Sequence, residues 1–184
     1  MKQSIYRSCF YPPAWEQITA YWWDNHLVGL SLGEAAPEAQ ERKLLRCCAA
    51  ANIVECPPKE KTQQMVLLER EITEYLAGER TLLTVPIALY GTEYQKKIWT
   101  ALLQLPYGST ASYADLAAHA GVRGHRATGS AVGANPIAIL VPCHRILPRS
   151  GGLGNYSTGK GPETKQALLK LESDHNQGRN RLWK

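Results

Sequence analysis

The chain has 184 residues, 44% of them hydrophobic and 20% charged, enough for one large or two small globular domains with a real core. The first twenty residues hold no continuous apolar stretch, and no run of the length that crosses a bilayer occurs, so neither a secretory leader nor a membrane span is expected. The net charge of +5 is split unevenly, −2 over residues 1–90 and +7 over residues 91–184, which directs a polyanionic partner to the second half.

In chain order, residues 16–23 are rich in β-branched and aromatic side chains, Asp24-Asn25-His26 is a polar turn, and Leu27 to Leu32 is a second apolar run. That pattern predicts a β-hairpin. Residues 33–41 are a polar connection containing Gly33 and Pro37, residues 38–48 a short helix, and Pro57-Pro58 breaks the segment after Asn52. From Thr62 to Ala77, Met65, Leu67, Leu68, Ile72, Tyr75 and Leu76 fall at helical spacing, and Gly78 stops the helix. Val85 to Leu89 reads as a further short strand. No catalytic grouping appears in this half, whose expected role is support.

The second half opens with a capping-box pattern, Thr92 with Gln95, followed by Tyr94, Ile98, Trp99, Leu102 and Leu103 on one helical face up to Pro106-Tyr107-Gly108. Residues 112–135 read as a helix–turn–helix. Ser112 with Asp115 caps the first helix, Ala120-Gly121-Val122 is the turn, and the second helix runs from about Gly124 to Ala134. The second helix is rich in Gly and Ala. That lowers its intrinsic stability, about 1 kcal/mol per glycine, but lets it lie close against another surface. Residues 173–184 are a polar, basic tail expected to be loosely held.

The chemistry concentrates at Pro142-Cys143-His144-Arg145, preceded by the apolar run Ile137 to Val141 and followed by a glycine-rich loop, Gly151 to Gly159. The run is short and bounded by prolines, so it reads as a buried strand or core segment. A free thiol is mostly protonated at pH 7, and a base or positive charge is needed to make it nucleophilic. In an extended segment Cys143 and His144 point to opposite faces, so they pair only if the chain turns or a water bridges them. The other four cysteines, Cys9, Cys47, Cys48 and Cys56, have no paired spacing and the total is odd. This is no disulfide framework, and a reducing compartment is expected: cytoplasm, or nucleus in a eukaryote. Cys9, Cys47, Cys56 and His26 match no zinc-ligand pattern, so neither metal nor other cofactor is expected.

The P-C-H-R-I run, with Asn135-Pro136 before it and Gly154-Asn155-Tyr156-Ser157 after it, resembles the methylated-DNA–protein-cysteine methyltransferases, the O6-alkylguanine–DNA alkyltransferases. The resemblance extends upstream through Gly91 to Gln95, Trp99, Leu105 to Gly108 and Ser112-Tyr113, and downstream to Leu168-Leu169 and Glu172. It covers residues ~85–172 strongly and the first half weakly. It implies an α+β chain: an N-terminal β-sheet-plus-helix, RNase H-like domain over 1–88, then a mostly helical domain over 89–184 that carries the helix–turn–helix and the active-site cysteine.

The implied function is direct DNA repair. An alkyl group passes irreversibly from O6-alkylguanine in double-stranded DNA to Cys143, one per molecule, with O4-alkylthymine a further candidate substrate. The implied roles are a relay of Glu172, His144, a water and Cys143, in which His144 keeps Cys143 as thiolate. Tyr113 crowds the target phosphate and contacts the flipped base, and Arg126 fills the gap in the stack. Asn135 ties the second helix to the active-site turn. Asn155, Tyr156 and Ser157 wall the guanine pocket, and the carbonyls of Cys143 and Ile146 accept from the guanine amino group. Ala127, Ser130 and Ala131 join Arg126 on a DNA-facing helix seated in the minor groove. A monomer without membrane contact is expected.

Ala138 stands where some relatives have a second proline, which alters the pocket wall, and the turn before Arg126 is one residue shorter than in some. Two other readings stay open: a non-enzymatic sensor of alkylated DNA on the same scaffold, and a cysteine hydrolase using Cys143 and His144.

Overall fold

The structure, a computed structural model, describes residues 4–33 and 38–176, apart from the side chain of Ala39. Pro37 and the tail from residue 177 onward lie outside the described residues. The chain divides into two compact units, residues 1–90 and 91–184.

The first unit is built on a four-stranded sheet of order β3-β2-β1-β4. Strand β1 is Ile5–Phe10, β2 Ile18–Trp23, β3 His26–Leu32 and β4 Ile53–Glu55. The expected hairpin is β2–β3, turned through Asp24 and Asn25. Both have positive φ, 47° and 61°, as a two-residue loop matched to strand twist requires. His26 already pairs with Trp23 and belongs to β3 rather than to the turn. Strand β1 is antiparallel to β2 and parallel to β4.

Helix α1 (Glu38–Cys47) covers one face of the sheet, packing Leu44, with Cys48 just beyond its end, against Ile5, Tyr21 and Val28. Helix α2 (Gln63–Leu76) starts where Thr62 accepts a hydrogen bond from the Met65 N–H, and buries Met65, Leu68, Glu71, Ile72, Tyr75 and Leu76. Val85 to Leu89, expected as a strand, forms only one bridge, Ile87 to Leu27. Pro86 has no N–H to extend a ladder; its carbonyl accepts from Leu27 and Ala88 donates back to Leu27.

The second unit is mostly helical. Helix α3 (Glu93–Leu103) begins with both halves of the Thr92–Gln95 capping box in place. It buries Ile98, Trp99, Ala101 and Leu102, ends at Gln104 rather than at Pro106, and leaves Leu103 42% exposed. Helix α4 (Tyr113–His119) is capped by Ser112 and Asp115, and α5 (His125–Gly133) follows the turn, with Gly124 and Ala134 as its caps. Helices α3, α4 and α5 pack on one another.

Two short strands, β5 (Ala111–Ser112) and β6 (Ile146–Leu147), pair in parallel, Ala111 with Ile146 and Ser112 with Leu147. This pairing joins the start of α4 to the residues that follow Cys143. Helix α6 (Pro162–Asp174) closes the unit and packs on the Cys143–Arg145 turn. No helix among the described residues is long and apolar enough to cross a membrane.

Candidate active site

Residues 137–141 are a buried core segment and not a strand. Val141 N–H donates to the Ile137 carbonyl at 3.0 Å and Leu140 N–H to Ala138 at 2.8 Å, which closes a turn. Ile139 sits at its centre with φ +67°, a strained conformation for a β-branched residue. Asn135 pins this turn. Its Nδ2 donates to the Val141 carbonyl at 2.8 Å and to Cys143 Sγ at 3.1 Å, and its Oδ1 accepts from Ile137 N–H at 3.0 Å. Asn135 therefore links the end of α5, the turn and the sulfur.

Cys143, His144 and Arg145 form one turn of 3₁₀ helix and all three are buried. The chain turns here, so the opposite-face geometry of an extended segment does not apply. His144 Nε2 lies 2.7 Å from Glu172 Oε1 in α6. The Glu172 carboxylate also takes a two-pronged bond from Arg145, with Nη2 at 2.9 Å from Oε1 and Nε at 2.9 Å from Oε2, and a bond from the Gly108 N–H at 2.9 Å.

Burial alone would raise the Glu172 pKa, but its bonds to His144 and Arg145 and their charges hold it well below the usual carboxylate range. An ionised Glu172 accepts hydrogen bonds only, so Nε2 of His144 carries the proton. The lone pair is then on Nδ1, which is buried and has no hydrogen-bond partner among the described residues. Burial pushes the His144 pKa down, against the pull of Glu172, and the ring is neutral at pH 7. Burial pushes the Cys143 thiol up, opposed by Asn135 and the Lys165 charge. At rest the sulfur is thus a thiol beside a neutral base, rather than the standing thiolate expected from the resemblance.

The sequence offers Arg145 as a positive charge for the thiol and gives Lys165 no role. Arg145 instead clamps Glu172, donates to the Leu105 carbonyl at 2.6 Å and lies over the Tyr107 ring. Lys165, 1% exposed, donates to the Ile146 carbonyl at 2.7 Å, and burial lowers its pKa while Cys143 opposes that shift. It shares a face of α6 with Leu168 and Glu172 at spacings of three and four, and that helical register was the available signal. The Ile146 carbonyl, expected to receive the guanine amino group, already accepts from Lys165. The Cys143 carbonyl accepts from the Ile146 N–H.

The remaining site residues surround this centre. Tyr113, the first residue of α4, is half-buried, and burial with the nearby Cys143 raises its pKa. A side chain at Gly154, where φ is +68°, would meet Pro148 at 3.1 Å and the Tyr113 hydroxyl at 3.7 Å, so a glycine is needed for the loop to pass this close. Within that loop Asn155 and Ser157 are exposed and Tyr156 is half-buried. Ser157 Oγ donates to the Gly133 carbonyl at 3.3 Å, fastening the loop to the end of α5.

Arg126, Ala127 and Ser130 are exposed on α5. Ala131 is not: it is 2% exposed and its carbonyl accepts from Trp99 Nε1 at 2.8 Å. Thr128, Ala131 and Val132 form the core stripe of α5, so Ala131 is removed from the expected DNA-facing set. Among the described residues no group of three or more His, Cys, Asp or Glu is placed to hold a metal ion.

Comparison with known proteins bears on the same part of the chain. Residues 93–174 match the family model for the DNA-binding domain of 6-O-methylguanine DNA methyltransferase. The inducible methylated-DNA–protein-cysteine methyltransferase of Bacillus subtilis is 47% identical over 103 residues, 55% of this chain and 56% of that protein. The constitutive one is 39% identical over 113 residues, 61% of this chain and 68% of that protein. The match thus spans little more than half the length of the first of these relatives. Among solved structures, the Mycobacterium tuberculosis O6-methylguanine methyltransferase superposes with a TM-score of 0.76 at 32% identity, over 95% of this chain and 96% of that one. The same protein in complex with DNA gives 0.74 over 94% of each.

Proposed function

Because the chain belongs to the methylated-DNA–protein-cysteine methyltransferase family, we propose that it repairs O6-alkylguanine in double-stranded DNA by moving the alkyl group to Cys143. The observation that carries this reading is the buried thiol set in one turn with a neutral imidazole whose tautomer is fixed by an ionised, Arg145-clamped glutamate. The relative solved with DNA supports the choice of partner.

The chemistry follows from those groups. Guanine O6 is out of reach within a stacked duplex, so the nucleotide leaves the stack. Exposed Arg126 on α5 enters the gap, and Tyr113 with the Asn155–Tyr156–Ser157 loop encloses the base. His144 Nδ1 takes the thiol proton through a water, and Glu172 stabilises the imidazolium. Sulfur attacks the alkyl carbon as the carbon–O6 bond breaks. The electron pair of that bond stays with the guanine, which finally receives the proton. The thioether has no carbonyl for water to attack, so each molecule acts once. None of these steps calls for a metal or other cofactor.

Binding through the exposed Arg126, Ala127 and Ser130 face suits the minor groove, where contacts carry little sequence information. A monomer in a reducing compartment completes the reading.

The test is mass analysis after incubation with duplex DNA containing O6-methylguanine. One methyl group on the Cys143 peptide is expected, with none in Cys143→Ser although that variant still binds DNA. Methyl on Cys9, Cys47, Cys48 or Cys56 would overturn the assignment. Repeated turnover on an ester or amide would point to a hydrolase, and binding without any transfer to a sensor.

A further inference from the structure

We infer that Tyr94 is a positioning residue for base flipping: its hydroxyl, reaching from α3, locks the hinge from which α5 presents Arg126. This rests on the flipping role of Arg126 proposed above. The turn between α4 and α5 is closed at its near end onto α4, Gly121 N–H donating to the Ala118 carbonyl at 3.1 Å and Val122 N–H to Ala117 at 3.0 Å. Its far end is Gly124, with φ +103° and no side chain to cap the helix. Residues 123–127 are all exposed, so the start of α5 gains little order from packing.

Tyr94 supplies the missing hold. Its hydroxyl lies 3.0 Å from Thr128 Oγ1, 3.2 Å from the Arg123 carbonyl and 3.4 Å from the Gly124 carbonyl. Thr128 is fully buried, and its hydroxyl is 3.0 Å from the same Gly124 carbonyl. The proton arrangement that uses the two shortest contacts is a chain: Tyr94 donates to Thr128, and Thr128 donates to Gly124.

Two residues after Gly124 stands Arg126. A hinge freed by loss of this chain would leave Arg126 sampling orientations that miss the gap in the stack, and that entropy would have to be removed at each flipping event. The capping box at Thr92–Gln95 holds Tyr94 within the first turn of α3, so the anchor belongs to a closed helical turn while the segment it anchors is exposed.

The experiment compares transfer rates from duplex O6-methylguanine and from the free base O6-methylguanine, which needs no flipping. Tyr94→Phe keeps the ring and removes the hydroxyl. The duplex rate should fall about three- to tenfold, the range expected for one hydrogen bond, with the free-base rate unchanged. Thr128→Val should reproduce that ratio, and the double variant should be no slower than either single one, since both cut the same chain. A loss of folded protein lowers both rates together and leaves their ratio unmoved. An unchanged ratio in both variants therefore overturns the inference while leaving the proposed reaction intact. A wild-type protein that fails to methylate Cys143 from either substrate takes both down.

Discussion

Among the described residues each unit buries one glutamate almost completely, Glu71 in the first and Glu172 in the second, both 1% exposed. The surroundings are nearly parallel. Glu71 takes Arg80 Nη1 at 3.1 Å, the Thr84 N–H at 2.7 Å and the Thr84 hydroxyl at 2.6 Å. Glu172 takes Arg145, the Gly108 N–H and His144. In both places an arginine, a backbone N–H and one further donor compensate a buried carboxylate, as burial of a charge demands. The third donor is where they part. A threonine hydroxyl does not titrate near neutrality and leads nowhere. An imidazole titrates there, and its other nitrogen belongs to the turn that carries Cys143. One clamp holds a loop; the other also sets the protonation state of a base.

The comparison is tested most severely by neutralising each carboxylate. Glu172→Gln should cost about 3–5 kcal/mol, because it leaves the buried Arg145 guanidinium uncompensated, and Glu71→Gln less, because Arg80 is 28% exposed and keeps Glu74 at 2.6 Å, as urea unfolding would record. Only Glu172→Gln should slow transfer per folded molecule, by about two to four decades. An equal loss in Glu71→Gln would erase the distinction. A smaller effect is expected outside both clamps. Arg126→Ala should slow transfer from duplex DNA by about one to three decades, since unstacking a base costs a few kcal/mol, and leave the free base unaffected. A matching loss on the free base would place Arg126 in the pocket or the fold.

The smallest effect is on pH. His144 is held below its ordinary value, so the transfer rate should stay level as pH falls to about 6.5 and decline only beneath it. A decline starting above 6.5 would mean that Glu172 outweighs burial. Stability has a fixed sign as well. The native values of both His144 and Glu172 are depressed, so the unfolded chain binds more protons as pH falls, first at His144 from about 6.5 and then at Glu172 from about 4.3. Their contributions are present above those values and are lost as pH falls through the native ones, which denaturant titrations of the second unit at several pH values would show.

Much of this was legible in the sequence, for physical reasons. Capping boxes are local, so Thr92–Gln95 and Ser112–Asp115 could be read directly, and hydrophobic spacing gave α2 and α3. Strands β1 and β4 could not be read, because their pairing joins Ile5 to Ile53 and a three-residue strand has no period. The apolar run before Cys143 has the composition of a strand, yet Asn135 folds it into a turn through contacts that composition does not encode. Ala131 was misplaced because Ala and Gly look alike on every face of α5; only the bond from Trp99 says which side is inward. Lys165 lies in a polar stretch, and nothing but its register with Leu168 and Glu172 marks it as interior.

Helix α5 has a further consequence. A methyl group added at Gly129 or Gly133 would meet nothing within 4 Å, so nothing inside the protein requires these glycines. Alanine at a mid-helix glycine such as Gly129 is worth up to about 1 kcal/mol. A stabilising substitution is thus available at little cost to folding, and its cost would fall on how closely the duplex can approach. If α5 faces the duplex as proposed, thermostability and grip on DNA draw on the same atoms, so a hardened variant chosen by melting temperature alone should emerge with weaker DNA binding.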